Sequence, residues 1–317
     1  RGKFKLHSLT IIDGTAHIPI DHDGRNVIAQ DIHGKVKITE SGRIIVDGAS
    51  GLIEGLRVNL STDLRISKIK STDDAPKPPE TLESNHVIKK ALDELALWTF
   101  SAEAPPQLTF KIKGDLDSPE QLQTSFRLNA VQLKRNQYQL RKLLIAGDLQ
   151  AQIITLDEIL LQDESGSASG QADWCISRND GRFDLNSDLH VQDFLNNCFD
   201  VKVLKDLTIS GTPPVLKING SFSSRESGGF LVTANGHGNI NKFSFLETNF
   251  DKLSSDFSWK DGDLYLRDLE VIREGDHLSG NIMRQGDQVR FDLMSSLPLK
   301  AFKPFIKADG PLEQALA

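Results

Sequence analysis

The chain has few residues whose type and spacing predict chemistry. Its eight histidines are scattered over 317 residues, and none lies at metal-binding spacing from another His or Cys. Asp21-His-Asp-Gly24 resembles a set of metal ligands, but Asp and Gly side by side are also the residues of a tight turn, which we favour. Gly236-His-Gly238 is too short for a phosphate-binding loop, and no predicted helix follows it. We therefore predict no metal site and no cofactor.

Candidate nucleophiles are equally weak. Gly166-Ser-Ala-Ser-Gly170 contains serines between glycines, but a nucleophile elbow needs a strand-to-helix turn, and this segment lies in a strand-like pattern. The carboxylates fall on polar strand faces or in turns, and no pair stands out by apolar surroundings. The sequence thus predicts a protein that is not an enzyme.

Two cysteines, Cys175 and Cys198, leave two structures open. They form one disulfide if the protein lives in an oxidising compartment, or they remain two buried thiols. We favour the second, in which both are small core residues.

Composition excludes several classes of function. A formal charge of −7 and the lack of a basic stripe with interleaved aromatic residues argue against nucleic-acid binding. No apolar run reaches the ~18 residues of a membrane-spanning helix. The chain opens at Arg1, so we expect it to be part of a longer protein.

Alternation of apolar and polar residues is the dominant pattern. Leu108-Thr-Phe-Lys-Ile-Lys113 places Leu108, Phe110 and Ile112 on one face, and the next run does the same with Phe126 and Leu128. A period of two predicts strands with one apolar and one solvated face. Glycine with Asp, Asn or Ser separates such runs, and we predict hairpin turns and an antiparallel meander from these pairs: Asp13-Gly14, Asp23-Gly24, Ser41-Gly42, Asn179-Asp180-Gly181, Asp261-Gly262 and Gly286-Asp287.

One segment departs from alternation. Residues 71–80 form a polar, proline-rich linker, and residues 82–100 carry apolar side chains at helical spacing, Trp98 among them. We predict a helix that covers one end of a sheet; binding to a membrane surface is the alternative, weakened by the scarcity of positive charge.

The chain also repeats itself at an offset of about 110 residues. Leu140-Arg-Lys-Leu143 returns as Phe250-Asp-Lys-Leu253, and Arg182-Phe-Asp-Leu185 returns as Arg290-Phe-Asp-Leu293. Each copy ends in a short apolar segment, anchored by Phe194 in one and Phe302 in the other, which we interpret as a rim helix. Such repeats are typical of modular arrays. We predict four regions: a β module (1–70), the linker and helix (71–105), and two repeat modules (106–210 and 211–317).

A sheet with one apolar face must cover that face. With a single long helix in the sequence, we expect the sheet to curl and leave an apolar trough. A trough lined by Leu, Ile, Val and Phe suits acyl chains better than sugars or nucleotides. The alternative is that the two sides of the curled sheet pack together and fill the interior.

The N-terminal strands carry a resemblance to a known family. Residues 28–38 (IAQDIHGKVKI), 42–51 (GRIIVDGASG) and 55–60 (GLRVNL) resemble the AsmA-like family, as do the two later modules. The resemblance implies a periplasmic body tethered to the inner membrane by an anchor outside this segment, no catalytic residues, and a curled β-sheet whose apolar groove carries phospholipid toward the outer membrane. The chain departs from the family in lacking the anchor and in being too short to cross a periplasm.

Together these patterns predict a mainly β protein: a long, curled, antiparallel, repeat-built sheet with one amphipathic helix and short rim helices. We expect it to bind or guide phospholipid or other acyl-chain lipid during outer-membrane biogenesis, with envelope proteins as further partners through strand addition. A protein- or glycan-binding scaffold with a packed interior is the alternative function. The expected groove lining consists of Leu108, Phe110, Ile112, Phe126, Leu128, Leu266, Val271, Phe291 and Leu293.

Overall fold

The computed structural model describes residues 7–19, 26–66, 93–118, 121–198, 207–225 and 229–298. Most of these residues form strands of one open, mixed sheet of 17 strands, and helices are few and short. This confirms the mainly β class. The chain divides into two compact units, residues 1–161 and 162–317. That boundary falls inside the predicted module 106–210, so the units follow a different division from the sequence modules.

The first unit is built from eight strands, the last of which reaches the boundary. Strands β1 to β4 pair antiparallel in order, as do β5 to β7. Their bounds are β1 Ser8–Pro19, β2 Asn26–Ile38, β3 Arg43–Ile53, β4 Leu56–Arg65, β5 Gln107–Asp115, β6 Gln123–Arg135, β7 Tyr138–Gln150 and β8 Ile153–Gln162.

The sequence predicted an antiparallel sheet, but strand β5 lies parallel to β4, so the sheet is mixed. Arg57 is registered with Gln107 and Arg65 with Asp115, and both strands run in the same direction. A hairpin joins antiparallel strands with a few residues, whereas a parallel pair needs a crossover. Residues 66–106, between β4 and β5, are long enough for such a crossover, and the antiparallel meander resumes with β5.

In its described residues, the second unit contains nine strands and one short helix. All its strand pairs are antiparallel: β9 with β10, β10 with β12, β11 with β13, and β12 to β17 in order. The elements are β9 Ser167–Cys175, β10 Asp180–Ser187, α1 Val191–Cys198, β11 Leu207–Ile209, β12 Val215–Ser224, β13 Phe230–Phe245, β14 Thr248–Lys260, β15 Asp263–Arg273, β16 Asp276–Gln285 and β17 Gln288–Ser295.

The predicted turns lie mostly between strands. Ser41-Gly42, Asp261-Gly262 and Gly286-Asp287 each connect two strands, and Asn179 closes the turn that precedes β10. Asp13-Gly14 was wrong as a hairpin, because both residues lie inside β1, where the register with β2 shifts. Asp13 has a φ of 53°, so the left-handed residue here forms a β-bulge. Asp21-His-Asp-Gly24 lies outside the described residues.

The predicted helix ends earlier than expected. Within the described residues, helical backbone covers 93–95, and the linker and the start of the helix lie outside them. Thr99 instead exchanges two backbone hydrogen bonds of 2.8 Å with Lys134 of β6, which ends the helix by giving the backbone another partner. Trp98 therefore does not lie on the helix; its ring stacks under the guanidinium of Arg135, 5.8 Å from the ring centroid.

The short apolar segment of the first repeat forms α1, where Phe194 is half-buried. Phe302, its counterpart, lies outside the described residues. Cys175 and Cys198 are both buried and are not joined in a disulfide, as favoured above. A hydrogen bond with the Ser177 hydroxyl, and then one with the Arg178 backbone, lower the pKa of the Cys175 thiol. None of the described helices is long and apolar enough to cross a membrane.

Glycines of the second unit lie directly beneath large apolar side chains of neighbouring strands. A Cβ added at these glycines would stand 2.6 to 2.7 Å from the overlying side chain. The missing side chain thus lets an aromatic ring or a leucine lie flat across the sheet. Four such pairs occur on its apolar face: Leu185 over Gly170, Phe222 over Gly181, Phe183 over Gly220 and Phe257 over Gly236.

We predict that Gly236→Ala destabilises the protein while Gly238→Ala, two residues along β13 on the same face, does not. At position 236 the new methyl group would lie 2.1 Å from the Lys217 carbonyl oxygen and 2.7 Å from the Phe257 ring. We expect a loss of about 1–3 kcal/mol, as for other overpacked sites. At position 238 the nearest atom is 3.6 Å away, so the loss of unfolded-state entropy leaves stability unchanged or raises it by under about 1 kcal/mol. Urea unfolding of both variants measures the difference, and equal effects would contradict the crowding.

Candidate functional site

The apolar face of the second unit is assembled by register. Residues opposite each other in an antiparallel pair point to the same face, so one apolar residue per strand gives a row across the sheet. One row runs from Ile240 through Leu253 and Val271 to Leu278. A second row runs from Phe257 through Leu266 to Ile282 and Phe291.

These rows enclose a cavity of about 500 Å³. Its size falls within the ~300–1,000 Å³ of small-molecule sites. All of its lining side chains are apolar: Leu207, Ile240, Phe243, Phe245, Phe250, Leu253, Leu266, Leu269, Val271, Leu278, Ile282, Leu293 and Leu297.

The floor of the cavity is rigidly packed at one end. The rings of Phe243 and Phe250 stack with centroids 5.1 Å apart and planes 18° from parallel. Both belong to the buried core of this unit, together with Leu269 and Leu297. Leu297 follows β17 and packs against the same core, so the chain beyond the last strand returns toward the cavity.

A β-bulge decides which leucines of β15 reach the cavity. Leu266 and Leu269 are three residues apart, so regular alternation would place them on opposite faces. The register with β16 shifts between these two residues, and Asp268 adopts a left-handed φ of 49°. The extra residue turns Leu269, 4% exposed, onto the face of Leu266.

Three of the predicted lining residues lie in the cavity: Leu266, Val271 and Leu293. Phe291 belongs to the same face but is 71% exposed beside the cavity. The other five are half-buried in the first unit, where register brings them together on one face. There Leu108 lies opposite Leu128, Phe110 lies opposite Phe126, and the row of Ile112 follows. Strand β4 extends that face with Val58 and Leu60.

The opposite, polar faces hold cavities in which charges compensate each other. In the second unit, Arg178 binds both carboxylate oxygens of Asp180 at 3.0 and 3.2 Å beside Arg182 and Asp173. In the first unit, Arg127 pairs with Glu158 at 3.1 Å. Neither face presents an uncompensated cluster of one sign, so these cavities do not favour a highly charged ligand.

A cross-strand contact joins three side chains that sequence spacing does not connect. His237 Nδ1 lies 2.7 Å from Asp256 Oδ1, and its Nε2 lies 3.4 Å from Ser254 Oγ. The order of groups is that of a serine, histidine and aspartate triad. However, His237 and Asp256 are about half exposed, and the neighbouring backbone N–H groups lie in the plane of the sheet, engaged with adjacent strands. This contact therefore offers no oxyanion site and stabilises the polar face.

Behind the cavity floor, one ion pair ties β14 to β15. Lys252 Nζ donates a hydrogen bond of 2.6 Å to Glu270 Oε2. This bond and the positive charge of Lys252 lower the pKa of Glu270.

Among the described residues, no group of three or more His, Cys, Asp or Glu side chains is arranged to hold a metal ion. Comparison of the chain with protein-family models, with curated proteins and with solved structures found no match.

We predict that the Glu270→Gln variant loses less stability than the wild type as the pH falls. The pKa of Glu270 is lower in the folded than in the unfolded protein. The contribution of ionised Glu270 to folding stability is therefore present above the unfolded-state pKa and is lost as the pH falls through the folded-state pKa. The wild-type melting temperature should therefore fall more steeply with acid than that of Glu270→Gln. Thermal melts from neutral to acidic pH measure both, with Glu54→Gln as a control. Parallel curves for wild type and Glu270→Gln would contradict this role.

Proposed function

We propose that this chain binds the acyl chains of lipids on the apolar face of its sheet and has no catalytic role. The observation that carries the proposal is the cavity of about 500 Å³ whose lining side chains are all apolar. A ligand must therefore offer hydrocarbon, because a polar group placed there would lose its hydrogen bonds to water without replacement.

The energetics favour tails over headgroups. Each methylene group moved from water into such a site contributes about 0.8 kcal/mol, so a few buried carbons suffice for measurable affinity. The lining offers no donor or acceptor side chain that would recognise a headgroup. We therefore expect selectivity for chain length and weak selectivity for headgroup.

The repeat supports a comparable apolar surface in the first unit. Strands β7 and β14 begin at Tyr138 and Thr248, and β8 and β15 begin at Ile153 and Asp263, so both pairs keep the same offset. Each preceding strand carries a left-handed residue at the equivalent position, Gln132 with φ of 54° and Lys242 with φ of 48°. Equivalent bulges bend equivalent strands, which is consistent with a duplicated, curved unit.

The glycine pairs support an open trough. A ring that projects from the sheet would fill the space above it, whereas Phe183 and Phe257 lie over Gly220 and Gly236. Rings laid flat give a smooth apolar surface with room above it. This arrangement suits a mobile chain better than a fully packed interior does.

The resemblance to the AsmA-like family implies a cellular location for this activity. We propose that the protein acts in the periplasm, tethered to the inner membrane through a region outside this segment, and guides phospholipid during outer-membrane biogenesis. The curled, repeat-built sheet would then be one part of a conduit, and envelope proteins would complete it.

The first test is mass spectrometry of organic extracts of the purified protein, beside a control protein prepared in the same way. We expect phospholipid or fatty acid close to stoichiometric amounts, with little change when the phospholipid headgroup is exchanged in a loading experiment. A clean extract together with no uptake of added lipid would refute the proposal and favour a packed scaffold that binds proteins or glycans.

Substitutions locate the site. Leu266→Glu places a charge in the cavity, and Val271→Phe fills part of it, so each should reduce bound lipid by about tenfold or more while thermal melts confirm folding. Arg267→Glu alters the exposed residue next to Leu266 and should bind lipid normally. Phe110→Glu applies the same test to the first unit. Normal binding by folded Leu266→Glu and Val271→Phe would exclude this cavity.

A further inference from the structure

Among the described strands, β17 (Gln288–Ser295) forms one edge of the second unit. Within the part of the chain that the structure describes, it is registered only with β16. Its apolar side chains are unusually exposed: Val289 at 58%, Phe291 at 71% and Met294 at 78%. An exposed apolar edge strand is a template for pairing with another strand.

The hydrogen-bond pattern shows which backbone groups face outward. Ser296 N donates to His277 O at 2.8 Å, which makes 277 and 296 a hydrogen-bonded pair. Such pairs alternate along an antiparallel ladder, so Arg290 and Asp292, opposite Met283 and Asn281, direct their backbone groups at β16. The N–H and C=O groups of Val289, Phe291 and Leu293 therefore point away from the sheet.

This edge lacks the usual protection. Strand β17 contains no proline, and its register with β16 runs from Leu278–Ser295 to Gln285–Gln288 without a bulge. In natural proteins, prolines, bulges or clustered charges of one sign commonly keep edge strands from pairing with another chain. Here the two charges, Arg290 and Asp292, have opposite signs.

The equivalent strand of the preceding repeat is paired on both sides. Strand β10 carries the same Arg-Phe-Asp-Leu sequence and lies between β9 and β12. Its Phe183 is half-buried, whereas Phe291 is mostly exposed. A strand of this composition thus occupies the interior of a sheet elsewhere in the same protein.

We propose that β17 pairs antiparallel with β17 of a second copy of this chain, centred on Phe291. In that register Arg290 of each copy faces Asp292 of the other, which gives two ion pairs across the interface. Val289 faces Leu293, and Phe291 faces itself. The outward backbone groups found above are the ones that this register pairs. A self-complementary surface of this kind produces a closed two-fold dimer.

The pairing has a structural consequence. The two-fold axis of an antiparallel pair is perpendicular to the sheet, so the same face of each copy lies on the same side. The row from Leu266 through Ile282 to Phe291 would continue into the second copy. The dimer does not depend on lipid binding, and the two proposals are tested separately.

Charge exchange tests the pairing by sedimentation velocity over a range of protein concentrations. The wild type should dimerise reversibly, and Arg290→Asp or Asp292→Arg alone should raise the dissociation constant at least about tenfold, because two attractive cross-strand pairs become repulsive. An equal mixture of the two variants should recover a heterodimer, and the double variant should recover a homodimer. Arg284→Asp, the same charge change on β16, should have no effect.

A cysteine scan fixes the register. Phe291→Cys should form a disulfide between copies on mild oxidation, because its partner is itself and hydrogen-bonded antiparallel residues have Cα atoms about 5.5 Å apart. Val289→Cys, which faces Leu293, should form far less. A wild type that remains monomeric at all concentrations, dimerisation that ignores both charge reversals, or equal cross-linking at 289 and 291 overturns the proposal.

Discussion

The structure depends on the period of two in an open sheet. Backbone hydrogen bonds between strands satisfy most of the described chain, and they force successive side chains onto opposite faces. The described helices are too few and too short to cover the apolar face, the longest of them being the eight residues of α1. An apolar face that the described helices leave uncovered is what a hydrocarbon ligand requires.

Two local features, a β-bulge and a set of glycines, shape the apolar face of the second unit. The bulge at Asp268 brings Leu266 and Leu269 onto one face, which regular alternation forbids. Glycines at crossing points let Phe183 and Phe257 lie along the sheet. The bulge adds apolar surface to the cavity. The glycines shape the apolar face beside it, since neither Phe183 nor Phe257 lines the cavity.

The sequence predicted those features that alternation and turn residues determine. The mainly β class and most hairpin turns follow from a period of two and from glycine at tight turns. Regular alternation would place Leu266 and Val271, five residues apart, on opposite faces, so their shared face depends on the bulge at Asp268. The sequence did not predict Leu269 as a lining residue, because the bulge inverts the alternation. The run Leu264 to Val271 contains apolar residues at both even and odd positions. The contact of His237 with Asp256 and Ser254 depends on strand register, which short-range patterns do not specify. Trp98 was misplaced because a backbone pairing with β6 overrode helical spacing.

An open sheet has two kinds of unsatisfied surface, an apolar face and a hydrogen-bonding edge, and both meet at Phe291. Its side chain continues the row of Leu266 and Ile282 on the apolar face, while its backbone N–H and C=O point away from β16. A partner strand that satisfied the backbone would also cover part of the ring, and would do so without entering the cavity. Covering the edge and occupying the groove are therefore compatible, since one uses the backbone of β17 and the other uses the apolar rows of β13 to β16. In an array of repeated strands, the same sequence can close an interior position in β10 and offer an attachment point in β17.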